Sequence, residues 1–237
     1  MEKVSMQDAV RRALFMCFAL IFGTLGTVVF YISGAGAMPM ASLQQALNLR
    51  TGLSYTTLNW AFSLVFLGYF WFRDRRFIHI GTVVSLALPG PMTDLWNYLL
   101  RDFYTVDFGL AGYILIPLLG AGIMGIGQSI WYPSGIGTGP LDMPLMALQM
   151  RGWSFQKAYG LMQTIWLALA LLMGGVFGWG TVVGFVLQGP ITNFYMKFTK
   201  PRVYALCHRY DQMAREGLIT EEEADRLTEE HRLAQLT

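Results

Sequence analysis

The 237-residue chain is 54% hydrophobic and only 14% charged, with a formal net charge of +2 and two cysteines. This composition excludes an ordinary soluble domain, a nucleic-acid footprint and a disulfide framework, and it suits a chain that spends its apolar surface on lipid. The charges are also segregated: Arg50 alone interrupts Ala13 to Phe72 and none falls between Ala158 and Met196, so each stretch is long enough for about two crossings.

In chain order, six membrane-spanning helices are predicted, over about Ala13 to Ile32, Tyr55 to Phe72, Phe77 to Leu100, Gly109 to Tyr132, Phe155 to Met173 and Trp179 to Met196. The first is long for the apolar region of a signal peptide and is followed by five more, so it is expected to be retained. Trp71, Trp131, Trp153 and Trp179 lie near span ends as interfacial anchors. After Pro201 the chain turns charged; Gly217 reads as a helix stop and Thr220 with Glu223 as a capping box, which predicts two short helices joined by a turn. That tail resembles the SHOCT-type helical hairpin.

Lysine and arginine set the orientation. With a cytoplasmic N-terminus, Lys3, Arg11, Arg12, Arg73, Arg75, Arg76, Arg151, Lys157, Lys197, Lys200 and Arg202 fall inside, against Arg50 and Arg101 outside. Both termini are therefore expected in the cytoplasm. Cys17 lies in the first span and Cys207 in the tail, so no disulfide is expected, and Cys207 should meet an impermeant thiol reagent only in opened cells. His79, His208 and His231 are scattered without ligand spacing, so neither a metal nor a cofactor is expected.

The chain repeats itself. "GTVVSLALPGPMTDLW" at Gly81 to Trp96 returns as "GTVVGFVLQGPITNFY" at Gly180 to Tyr195 with eight of sixteen positions identical, and "SGAGAMPMA" at Ser33 to Ala41 returns as "SGIGTGPLD" at Ser134 to Asp142. Three spans per half is an odd number, so the second half enters the membrane from the opposite side, giving inverted-topology repeats. The expected architecture is an all-α integral membrane protein: residues 1–104 as the first repeat, 105–200 as the second and 201–237 as a cytosolic helical tail. Short re-entrant or interfacial segments are expected after each glycine-rich loop. Gly180-x-x-x-Gly184 and its mate Gly81-x-x-x-Ser85 are expected to pack closely across the pseudo-symmetry axis.

These motifs resemble those of the YczE/YyaS/YitT-type bacterial integral membrane proteins, the YczE branch above all, over roughly Leu14 to Phe198. The matching residues are Gly34, Gly36 and Pro39; Gly135, Gly137, Pro140 and Asp142; Gly81, Thr82, Gly90, Pro91 and Asp94; and Gly180, Thr181, Gly189 and Pro190. The first loop departs from the pattern, with Ala41 where the second has Asp142. The resemblance implies a fold and a bacterial cytoplasmic-membrane location more than a function.

Candidate functional residues follow from irregular or polar positions within apolar runs. Gly90-Pro91 and Gly189-Pro190 fall mid-span, where proline removes an N–H and frees a carbonyl that lipid cannot satisfy. Asp94 is the one acid between Phe77 and Leu100, with Asn193 as its mate and Thr93 and Thr192 beside the two. A carboxylate at that depth is costly unless it faces the protein interior, which makes Asp94 a candidate for proton coupling. The two Gly-Pro sites are expected to approach each other, so that Thr93, Asp94, Thr192 and Asn193 line one polar cavity. The glycine-rich loops, through Gly34, Gly36, Pro39, Gly135, Gly137, Pro140 and Asp142, read as gates or as packed interfacial turns. "SGIGTGPLD" lacks the Lys-Ser/Thr pair of a phosphate-binding loop.

The reading these features favour is a transporter of a small polar or anionic solute with a midplane site, coupled to a proton or another ion. The alternative is a non-transporting assembly, regulatory or scaffold protein. No nucleophile elbow, metal motif or acid pair points to an enzyme, and the expected partners are the bilayer, the solute and, at most, further copies of the chain, with no nucleic acid.

Overall fold

A computed structural model describes residues 6–73, 80–134, 139–153 and 155–234. Among these residues there are helices and turns and no strand. The elements are α1 (Met6–Ile32), α2 (Pro39–Thr51), α3 (Tyr55–Arg73), α4 (Ile80–Ala87), α5 (Pro89–Leu99), α6 (Gly109–Ser134), α7 (Met143–Met150), α8 (Phe155–Leu172), α9 (Trp179–Val182), α10 (Gln188–Leu206), α11 (Tyr210–Arg215) and α12 (Glu221–Ala234). A π-helical stretch, Val183–Leu187, joins α9 to α10, and short 3-10 turns precede α6 and α7.

Two helices, over Val10–Ile32 and Gly109–Ser134, are by themselves long and apolar enough to cross a membrane, and Lys157–Leu172 is a shorter apolar helix. Inside α1 the hydroxyls of Thr24 and Thr27 donate to the Leu20 and Gly23 carbonyl oxygens, so these side chains make no demand on an apolar surround. Phe72, Leu110, Leu172 and Val65 point outward with 89%, 75%, 74% and 68% of their surface uncovered, as suits a lipid-facing exterior and not a water-facing one.

The centre of the bundle is the α1–α6 pair, with α5 and α4 packed on α1 and α10 and α9 packed on α6. Glycine makes this crossing possible. A Cβ on Gly26 would stand 2.6 Å from the Met124 amide nitrogen, and one on Gly127 would stand 2.5 Å from the Ala19 carbonyl oxygen. The two backbones therefore touch where any side chain would part them. The close contact expected between the Gly81 and Gly180 faces is not found. Gly180 and Gly184 pack instead on the segment before α2, where their Cβ atoms would stand 2.2 Å from the Gly36 carbonyl oxygen and 2.7 Å from Met38 Cγ. The reason is that α1 and α6 carry their own glycines and form the central crossing.

The two Gly-Pro segments differ in form. The first breaks between α4 and α5 at Leu88, ahead of Pro89 and Pro91, whereas the second keeps turning through the π-helical stretch ahead of Pro190 alone. Two prolines in "PGP" delete two N–H donors and crowd two upstream carbonyls, which stops the helix; a single proline is absorbed by widening it. The irregularity thus falls just before each Gly-Pro pair.

The tail folds back on the bundle. Gly217 ends α11 at φ +70, with Leu218 N–H donating to the Met213 carbonyl, and Thr220 Oγ1 accepts from the Glu223 N–H, so the helix stop and the cap lie where the local chemistry sets them. Cys207 is completely buried against Ala19, Ile130 and Val203. Burial pushes its thiol above the ordinary value, with Arg12, Arg209 and Arg11 pulling the other way. Native Cys207 therefore cannot serve as the accessible label expected from its place in the sequence.

Candidate functional site

Among the described residues, three cavities beside the α1–α6 pair share lining residues. The first, of about 190 Å³, is lined by Thr24, Thr27, Tyr55, Asn59, Gly90 and Thr93 among others. The second, of about 250 Å³, lies between Gly23, Asn59, Ser85, Gln128, Tyr132 and Asp142. The third is the largest, about 740 Å³, and is walled by α6, α8, α10 and the tail through Gln128, Tyr132, Asp142, Tyr159, Gln163, Gly189, Pro190, Thr192, Asn193, Arg209, Gln212 and Glu216.

Asp94 belongs to none of these linings. Its carboxylate accepts from the backbone N–H of Tyr55 at 3.0 Å and of Thr56 at 2.9 Å, and from the Thr56 hydroxyl. Those are the first amides of α3, which no residue of α3 can satisfy, so an acid from α5 caps a helix that begins 39 residues earlier. The negative charge also sits at the positive end of the α3 dipole. Gly90 lets the two helices close: a Cβ there would stand 2.5 Å from Thr56 Cα. Tyr31 stacks on Tyr55 with ring centroids 5.2 Å apart, and its hydroxyl donates to the Ala41 carbonyl.

The repeat mates are arranged differently. Asn193, Gly189, Pro190 and Thr192 line the large cavity, and a Cβ on Gly189 would meet nothing within 4 Å. Whereas α3 packs firmly on α5, their counterparts α8 and α10 scarcely touch, and the cavity occupies the gap. The two Gly-Pro sites therefore do not approach each other, and Thr93 and Asp94 do not share a cavity with Thr192 and Asn193. Because α5 packs on α1 and α10 on α6, the central pair stands between them.

The glycine-rich loops also part company. Gly34 and Gly36 adopt φ +61 and +86, Gly36 lies against Thr181 and the Val176 carbonyl, and the Gly180 N–H donates to the Ala35 carbonyl at 2.8 Å. Pro39 is buried at the start of α2, and Ser42 Oγ both accepts from the Ala37 N–H and donates to its carbonyl. This first loop is a packed, hydrogen-bonded turn. In the second, Gly135 and Gly137 lie outside the described residues, Pro140 is buried, and Asp142 borders the second and third cavities.

Amides that the sequence reading did not single out supply most of the polarity. Gln188 is 1% exposed and donates to Gln128 Oε1 at 3.0 Å, and Thr192 donates to the same oxygen at 2.7 Å, which ties α10 to α6. Gln188 Oε1 and Gln163 Oε1 are buried and accept no hydrogen bond among the described residues. A buried amide oxygen left unbonded costs about 1–3 kcal/mol; Gln163 borders the first and third cavities, whereas Gln188 borders none of the three. The available signal was the uncharged amide inside an apolar run, which carries no charge to draw attention and no proline to break the helix.

The chain is similar to an uncharacterized membrane protein, YczE, of Bacillus subtilis, with 28% identity over 191 residues covering 79% of this chain and 86% of that protein. It is also similar to an uncharacterized protein of Haemophilus influenzae, with 23% identity over 186 residues covering 76% and 81% of the two chains. No solved structure matches it. The profile described as a family of unknown function (DUF6198) matches residues 10–197, most of the chain and all three cavities' walls apart from the tail. The chain is a helical membrane protein and belongs to this YczE-type family.

Proposed function

We propose that this protein is a multi-pass transporter of a small polar solute, built of six crossings in two inverted repeats with both termini on the cytoplasmic side of the bacterial inner membrane. The pattern of packing supports the repeat: α1 on α5 is matched by α6 on α10, α1 on α4 by α6 on α9, and α2 on α3 by α7 on α8. The observation that carries the function is the departure from that symmetry. The half that Asp94 caps at the α3 N-terminus keeps a cavity of only about 190 Å³ beside Gly90 and Thr93, while the other holds one of about 740 Å³ between α8 and α10 with Asn193 at the equivalent position. Two equivalent halves in unlike conformations are what alternating access about a midplane site requires.

The solute is read as one recognised by amide and hydroxyl groups, because Gln128, Gln163, Tyr159, Thr192 and Asn193 line the cavity, while of its charged residues Glu216 is paired with Lys200 and Arg209 donates to the Pro133 carbonyl, leaving Asp142. Nothing in that lining calls for bond-making chemistry, so the protein is read as a carrier and not an enzyme. The competing reading, a non-transporting assembly or regulatory protein, draws on Asp94 itself, whose three hydrogen bonds are those of a structural cap.

The deciding experiment is a thermal-shift screen of the purified full-length protein over a panel of small polar solutes, followed by uptake into proteoliposomes for any hit. The expected result is a solute whose stabilisation and uptake are both lost in Gln163→Leu. A panel without any shift, or a shift indifferent to Gln163→Leu and Asn193→Leu, would favour the assembly reading.

A further inference from the structure

The two described histidines, scattered in sequence, meet at one carboxylate. Asp8 lies in the first turn of α1, His208 in the turn between α10 and α11, and His231 on α12. His208 Nδ1 is 2.8 Å from Asp8 Oδ1 and His231 Nε2 is 3.2 Å from Asp8 Oδ2, with the two rings 3.5 Å apart at centroid and inclined by 33°. One donor atom from each of the three residues lies within 4.8 Å of the others. Asp8 is 8% exposed, so the group is sheltered and not a surface cluster.

We propose that Asp8, His208 and His231 form a binding site for a divalent transition-metal ion of the zinc class. Two imidazole nitrogens and one carboxylate are a donor set for such an ion, with bonds of about 2.0–2.2 Å, and they select it over the oxygen-seeking magnesium and calcium. Ligands at those bond lengths stand a little over 3 Å apart around a tetrahedral ion, and the two histidines now approach different Asp8 oxygens at 2.8 Å and 3.2 Å, so on loading the carboxylate turns between them and the two rings splay apart to admit the ion. Neither ring has to lose a proton if it is neutral, because imidazole can carry its hydrogen on the opposite nitrogen.

A second feature points the same way. His208 is the one non-glycine residue at positive φ among the described residues, at +51, where glycine or asparagine is the less strained choice. That conformation turns its ring toward Asp8 while Cys207 beside it stays buried and Arg12 Nε donates to the Cys207 carbonyl. The site thus links α1 to the tail at positions 200 and 223 residues apart.

Arg11 opposes the ion. Its Nη1 is 2.9 Å from His208 Nε2 and 3.3 Å from Nδ1, so it must leave the ring when the metal takes Nδ1 and the hydrogen moves to Nε2; the Leu206 carbonyl, also at 3.3 Å, offers a place to go. With Arg12 also close to Cys207, the local positive charge sets a reversible affinity and not that of a closed structural site.

The test uses the full-length protein purified in detergent with a tag free of histidine and stripped with a chelator. Zinc is titrated calorimetrically and cobalt by its visible absorption. One equivalent is expected, with His208→Asn and His231→Gln each weakening it by about tenfold or more, Arg11→Gln tightening it, and magnesium and calcium not competing. His231 is on the last helix, so His231→Gln is expected to melt as the parent does without metal, and together with Arg11→Gln it decides the matter if His208→Asn is poorly folded. Absence of a saturable single equivalent, or binding that ignores His231→Gln and Arg11→Gln, overturns the site. No solute or uptake measurement enters, so this outcome is independent of the transport reading.

Discussion

Asp94 on α5 holds Thr56 at the start of α3 by both the backbone N–H, at 2.9 Å, and the hydroxyl. An acid inside an apolar run is thereby committed to a helix end, where two amides and the dipole stabilise its charge. Asp94→Ala is expected to lower stability by about 1–2 kcal/mol, the usual cost of a lost cap or a little above it. Asp94→Asn, which keeps an acceptor oxygen, should lose less. The check is thermal melting of the two variants in one detergent; an Asp94→Ala melt equal to that of the parent would remove the structural role.

The glycines of the two Gly-Pro pairs should respond in opposite senses to the same substitution. Gly90→Ala forces a Cβ against Thr56 Cα, 2.5 Å away, and backbone cannot yield as a side chain tip can. A loss of about 1–3 kcal/mol is expected, as for other overpacked sites. Gly189→Ala meets nothing within 4 Å and gains helix propensity, so it should be neutral or stabilise by up to about 1 kcal/mol. Equal effects at both sites would mean that the two halves are alike and that the asymmetry described above is absent.

Docking of the tail should depend on pH through Glu216. Its carboxylate pairs with Lys200 and accepts from Tyr204 at 2.9 Å and from Gln212 at 3.1 Å. Burial by itself raises the carboxyl, but those hydrogen bonds and the Lys200 charge outweigh it and hold Glu216 below its ordinary value. A depressed acid contributes stability above its unfolded pKa and loses it as pH falls through the folded one. Protection of the tail from protease should accordingly be flat near neutrality and fail only below about pH 4.3, the free glutamate value. Glu216→Gln should show the loss already at neutral pH.

Orientation can be read from an introduced cysteine. Glu222 is exposed on α12 while Cys207 is fully buried. A Glu222→Cys variant should react with a membrane-impermeant maleimide only after cells are opened, and the parent should label weakly in either condition. Labelling of Glu222→Cys in intact cells would place the tail outside and invert the proposed topology.

The sequence by itself determined the class and much of the local form. Segregation of charge from apolar runs dictates helices that leave apolar side chains uncovered. The proline at the start of α2, Gly217 after α11 and Thr220 before α12 set element ends through chemistry that acts within one turn. The doubling of "GTVV…GP" was visible because it is linear in the chain.

What only the tertiary structure decided was which groups meet. Whether Asp94 faces a cavity or a helix end depends on where Thr56 stands, 38 residues away, and its mate Asn193 has the other fate although its local sequence is nearly the same. Gln128 and Gln188 become one network only when α6 and α10 pack, and Asp8 meets His208 and His231 only when the tail returns to α1. Periodicity and capping are short-range and repeat along the chain, whereas a site is a convergence of distant segments whose geometry is set by backbone contact, here at Gly26 and Gly127, and leaves no periodic trace.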